Sequence, residues 1–243
     1  MARAASDTWT GATDVLWSNT ANWNPSVAVP GTGDTATFNA ASSNTTIDLG
    51  AGVTLGTLLF DTSSAATYTI GSGAVGSQTL TLGTLAGGVQ MNSTVAQNQL
   101  INTNLALSTT GTYTVGLTNN STTNTLTVAG GISASTAGAK TLTVSGSGNT
   151  TISGAITSGT GTVGLSKSGS GTLTLSNAGT STIASNFQMS GGLVQITAGT
   201  INVTENSGNN TGLRGGANLT VSGGTLNWSR WQMSRGNPWI RSG

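Results

Sequence analysis

The chain has no cysteine and no histidine, only three prolines, and charge on just 5% of its 243 residues. An ordinary globular domain is about 25% charged. Without cysteine no disulfide supports the fold, and the chain suits any compartment, an extracellular one included. Metal sites and general acid–base or nucleophilic chemistry lose their usual side chains. The scarcity is deepest between Asp61 and Glu205, where 143 residues hold two charges, Lys140 and Lys167, and no carboxylate. A net charge of +1 supplies no field to steer a nucleic acid. No apolar run approaches the roughly 18 residues of a membrane-spanning helix. The opening Met1-Ala-Arg-Ala-Ala-Ser lacks the apolar stretch of a secretory leader, so export implies a leader already removed or another route. These absences predict a protein that is not an enzyme, with no cofactor, no metal, no nucleic-acid partner and no membrane insertion.

What the chain has is glycine, 37 residues, and threonine, 46. Threonine, valine and isoleucine favour strands, and glycine, asparagine and serine favour turns. Low net charge beside abundant aliphatic residues also separates it from disordered chains.

A short phrase recurs: Thr79-Leu-Thr-Leu82, Thr125-Leu-Thr-Val128, Thr141-Leu-Thr-Val144, Thr172-Leu-Thr-Leu175 and Asn218-Leu-Thr-Val221. Its leucines stand 46, 16, 31 and 46 residues apart, close to multiples of 15 to 16. A second phrase, Ala66-Thr-Tyr-Thr-Ile-Gly71, returns at Gly111–Gly116 and Gly159–Gly164. Self-similarity at a fixed period marks a repeat architecture. Alternation of threonine with aliphatic residues reads as strands with one buried face, and glycine-rich punctuation ends each strand. The pattern predicts an all-β, right-handed parallel β-helix, with a β-sandwich as the alternative. A period near 46 fits two coils of about 23 residues or three strand-and-turn steps of about 15. About ten coils at roughly 4.8 Å each make a rod about 50 Å long. The charge-poor stretch lets near-identical strands stack without burying charge.

The segment Gly164-Leu-Ser-Lys-Ser-Gly-Ser-Gly-Thr-Leu-Thr-Leu-Ser-Asn-Ala178, followed by Gly191-Gly-Leu-Val-Gln-Ile196, resembles the autotransporter-associated β-strand repeat. The opening is similar to the N-terminal segment of long secreted bacterial proteins built from such repeats: Trp9-Thr-Gly-Ala-Thr-Asp14, Trp17-Ser-Asn-Thr-Ala-Asn-Trp23 and Val29-Pro-Gly-Thr-Gly-Asp-Thr-Ala-Thr-Phe38. The strong match covers about 35 residues, and a looser one covers 7–227. The resemblance implies a β-helical passenger on the cell surface and brings no catalytic residue. The membrane barrel that usually ends such proteins has no counterpart in this chain.

Three segments follow: a Trp-rich cap with the first coils (1–40), a repetitive solenoid (41–227) and a basic, aromatic, non-repeat tail (228–243). All six tryptophans lie in the two ends. Residues 1–61 carry a charge of −4 and residues 205–243 carry +3. Solenoid ends must be capped or paired. One reading makes the aromatics intramolecular caps. The other makes Trp9, Asp14, Trp17, Trp23 and Asp34 at the head, with Trp228, Arg230, Trp231, Arg235, Trp239 and Arg241 at the tail, a heterologous assembly interface. The partner is then the chain itself, in an extracellular or cell-surface fibre.

The same residues bear on other functions. A surface adhesin would stack sugar rings on exposed Trp9, Trp17 and Trp23. Ice binding would use Thr-x-Thr rows, but their starts at Thr67, Thr79, Thr112, Thr125, Thr141 and Thr172 are unevenly spaced, which argues against one gap-free array. The aspartates read as turn and cap chemistry rather than a catalytic pair. Calcium-binding solenoids need an aspartate in every Gly-rich turn, and Gly71-Ser-Gly and Gly169-Ser-Gly are too short for a phosphate loop.

Overall fold

A computed structural model describes residues 6–25, 28–83, 87–204, 212–213, 216–228 and 241–242. The described residues are almost entirely β, with one three-residue 3₁₀ turn at Thr20–Asn22. The strands form a parallel β-solenoid of about eight turns, two fewer than the period predicted. Nearly all pairs are parallel and join residues one coil apart, which excludes the antiparallel sandwich.

Each coil has three sides. The first side is a ten-stranded sheet that begins with Trp23–Asn24 and Asp7–Trp9 and ends at Gly212–Leu213. The second is a nine-stranded sheet from Thr46–Ile47 to Arg241–Ser242. The third comprises a five-stranded sheet that starts at Val53–Leu55 and a three-stranded one that ends at Thr225–Trp228. Where the third side changes sheet, the hydroxyl of buried Ser181 accepts the Ile156 N–H at 3.0 Å, in place of a ladder bond.

The core follows from alternation. Inward residues of one side stack in register, as in Ile47, Ile70, Ile101, Val128, Ile152, Leu175 and Ile196 along the second side. All seven are buried. β-branched and leucine side chains suit such a column, because identical neighbours at strand spacing interdigitate without voids.

Coil length is not constant. Ile47 pairs with Ile70, 23 residues on, whereas Ile70 pairs with Ile101, 31 on. The repeated phrase is also not confined to one side. Thr79–Leu82 lies on the third, Leu126–Val128 and Thr172–Leu175 on the second, and Ala139–Ser145 on the first. The leucine step of 16 is thus two sides of a three-sided coil, and the step between Leu126 and Leu173, through Thr150, is two full coils. Of the two periods considered, coils of about 23 residues hold, with strand-and-turn steps of about 8.

Candidate functional site

The predicted interface residues divide sharply. Trp9, Trp17 and Trp23 are 0%, 3% and 2% exposed. Asp7–Trp9 pairs in parallel with Thr35–Phe38 and antiparallel with Trp23–Asn24, so the antiparallel strand closes that edge of the first sheet. Leu16 bridges Asp48 beside the second sheet. The three indoles then turn inward over Phe38, with ring centroids 5.9, 6.3 and 6.0 Å from its ring. Trp23 meets Trp9 at 5.1 Å and Trp17 at 4.7 Å, both edge to face, the arrangement that ring quadrupoles favour. Each indole N–H donates to a backbone carbonyl: Trp9 to Asn44 (3.1 Å), Trp17 to Pro30 (3.1 Å) and Trp23 to Trp17 (2.9 Å).

These rings belong to the core of their own chain. They offer neither a second subunit nor a sugar ring a surface to stack on, which corrects both uses expected of them. At the other end, Trp228 is partly buried, with its ring 5.2 Å from that of Phe187. The backbone of Arg241 extends the second sheet beside Thr220. Arg230, Trp231, Arg235 and Trp239 lie outside the described residues.

The carboxylates are mostly committed to turns, as expected. Asp14 accepts from the Leu16 N–H (2.9 Å), Asn22 Nδ2 (2.7 Å) and Asn19 Nδ2 (2.8 Å). The bond from Asn19, then those from Leu16 and Asn22, hold its pKa below the usual carboxylate value. Asp48 accepts from the Gly50 N–H and Gln78 Nε2, which lower it likewise. Asp61 accepts from the Thr62 N–H and Asn92 Nδ2, and Asp34 from the Gly31 N–H. Asp7 departs from the expectation. It is an inward strand residue, 2% exposed, and burial, then the charge of Asp34, pushes its pKa up. No three carboxylates gather among the described residues.

Sequence reasoning missed the interior lysines. The two charges of the charge-poor stretch are the ones inside the rod: Lys140 is 0% exposed and Lys167 is 1%. Both occupy inward positions at corners of the first side. Lys140 Nζ donates to the carbonyls of Gly111 (2.9 Å), Ala137 (2.7 Å) and Gly138 (3.3 Å). Lys167 Nζ donates to Ser168 (2.6 Å) and Gly169 (3.1 Å). Neither meets a carboxylate among the described residues, and burial lowers both pKa values. A stem of four methylenes fills the core while the ammonium donates to the carbonyls of the corner turns. The strict alternation through Lys140-Thr-Leu-Thr-Val144 and Leu165-Ser-Lys167 was the available signal, since it places each lysine on the leucine side.

Tyr68 is the other buried titratable group that stands out. Its hydroxyl donates to the Ala40 carbonyl at 2.6 Å, and burial pushes its pKa up to about 12. An unfolded tyrosine ionises near 10. Its contribution is therefore intact below pH 10 and lost as pH rises through 12, worth roughly 2–3 kcal/mol. The buried lysines act in the opposite sense below their ordinary value, so the tyrosine effect is read as a difference. Denaturant midpoints are expected to fall between pH 10 and 12 more steeply for the wild type than for Tyr68→Phe. Equal slopes would remove the assignment.

An open groove on the first side, about 480 Å³, lies over Gly116 between Thr114, Thr118, Thr143 and Ser145. It exists because Gly116 fills an outward strand position with no side chain. Its one aromatic, Tyr113, is buried and accepts the Gly87 N–H with its hydroxyl. No family model, curated protein or solved structure matches the chain.

Proposed function

We propose that this is a non-catalytic structural protein of the cell surface or extracellular space, a stiff rod that associates with copies of itself end to end. The uninterrupted register of inward aliphatic residues carries the reading, since such a column stiffens a rod and leaves no interior room for a ligand. Support also comes from the aspartates, four of which are bonded to turns or their neighbours. Low charge adds little self-repulsion to oppose association.

The buried head indoles move the proposed contact elsewhere. At the head the first and second sides end on two-residue strands, Trp23–Asn24 and Thr46–Ile47, whereas the third ends on Val53–Leu55, a longer strand with a partner on one flank only. Such an edge offers free backbone groups to a neighbouring strand. Approach of an acidic head to a basic tail favours a heterologous contact, which extends without closing. Light scattering across concentration and salt, with negative-stain microscopy, tests this. Filaments or end-to-end oligomers that dissociate at high salt are expected. A monomer at every concentration and salt overturns the self-association.

A further inference from the structure

We propose that the second side of the rod is an ice-binding surface, with the water lattice of an ice crystal as its ligand. The observation is a register that linear spacing conceals. Thr46, Thr69, Thr127, Thr151, Thr174 and Thr220 fill six of the nine rungs of one register column, the other three positions being Leu100, Gln195 and, on the last strand, Arg241. The turns absorb the variation in coil length, so the strands align although their sequence steps differ. Thr-x-Thr phrases at Thr67, Thr125 and Thr172 add a second threonine on the same face of three of these rungs, because alternate strand residues share a face; the Thr67 hydroxyl donates to Gln97 Oε1 at 3.3 Å.

The result is a two-dimensional array. Rungs repeat at about 4.8 Å, and the two threonines of one strand stand about 6.6 Å apart. The rung repeat lies close to an oxygen repeat on the prism face of hexagonal ice, and the spacing along the strand falls short of the other. Threonine is stiff at χ1, so the methyl and hydroxyl of each rung are held in place before any ligand arrives. None of the six hydroxyls is spent on a protein acceptor. The inward column of isoleucine and its equivalents forms a rigid floor beneath.

Chemistry selects among ligands. Charge enters the face only at its two ends, with Asp48 two residues past Thr46 and Arg241 in register beyond Thr220, so no ion imposes its own hydration shell on the rungs from Thr69 to Thr220. No aromatic ring faces outward there either, because Tyr68 is buried. That disfavours sugar recognition, which stacks rings. The matching columns of the other sides hold fewer threonines: Thr35, Thr57 and Thr143 on the first, and Thr54, Thr81 and Thr157 on the five-stranded sheet of the third.

The test is freezing-point hysteresis and ice-recrystallisation inhibition by the purified chain. The wild type is expected to hold its freezing point below its melting point and to shape the crystals. Thr151→Lys, in the middle of the column, is expected to abolish both effects, while Thr143→Lys on the first side leaves them intact. Circular dichroism and Tm establish that each variant is folded, and Thr127→Lys, one rung away, replaces Thr151→Lys if that variant is not. A wild type with neither hysteresis nor recrystallisation inhibition overturns the proposal, as does unchanged activity in a folded lysine variant of this column. Neither result bears on end-to-end association, which light scattering reads separately.

Discussion

Phe38→Ala is expected to lower the thermal midpoint by roughly 10 °C, from a loss of about 3–5 kcal/mol. Phe38 is fully buried and is the ring on which the head is assembled. Trp9, Trp17 and Trp23 pack on it from one side, and Phe60 and Tyr68 meet it at 5.8 and 4.9 Å from the following coil. Truncation leaves a cavity that stiff indoles cannot refill without giving up their carbonyl partners. In a solenoid each coil touches only its neighbours, so the damage starts locally. Amides of residues 7–60 should lose hydrogen-exchange protection first, and tryptophan emission should shift to the red as the head indoles become wet. A variant with an unchanged midpoint and unchanged emission would show that the head is held by something other than this cluster.

Gly146→Ala is expected to cost about 3–5 kcal/mol, through two separable causes. Gly146 has a φ of +101°, which side-chain-bearing residues rarely adopt, and a Cβ there would stand 2.0 Å from the Asn119 carbonyl oxygen of the coil before. That carbonyl already accepts the Gly148 N–H at 2.8 Å, so it cannot swing away without losing a bond that joins coils. Gly111→Ala isolates the backbone strain, because Gly111 has a φ of +85° with open space around the added carbon. Its expected cost is about 1 kcal/mol. Denaturant titration of both variants gives the comparison. Equal losses would mean that the close approach of coils at this corner contributes nothing.

Much of the fold is legible in the sequence. Thr-Leu-Thr-Leu alternation identifies strands and their buried sides, and Ile47, Leu80, Leu126, Leu142 and Leu173 are all inward as it requires. The turn role of the aspartates is legible too, because an Asp carboxylate accepts amide N–H groups one or two residues on, as Asp14, Asp48 and Asp61 do from Leu16, Gly50 and Thr62. The candidate site was much less so. Tryptophans at the ends suggested either contact surface or cap, and composition cannot distinguish the two. The decision came from the antiparallel return of Trp23–Asn24 against Asp7–Trp9, a long-range pairing without a local signal. Lys140 and Lys167 were misjudged for a related reason. The charge-poor stretch reads as strands that stack without burying charge, but turn carbonyls of the same corner, and Gly111 of the coil before, supply acceptors inside.

The sequence by itself determined that this chain is all β, that its strands are short and one-face buried, and that its middle holds almost no ionisable chemistry. These are properties of a two-residue period and of composition, and both act locally. Only the tertiary structure decided which strand lies on which. Register depends on how many residues each turn consumes, and turns here range widely enough that the spacing of a phrase along the chain no longer reports its side of the rod. The same closure of turns aligned six threonines into one outward column, drew three indoles into the core and enclosed two lysines. Each outcome depends on neighbours one coil away, which strand alternation alone cannot specify.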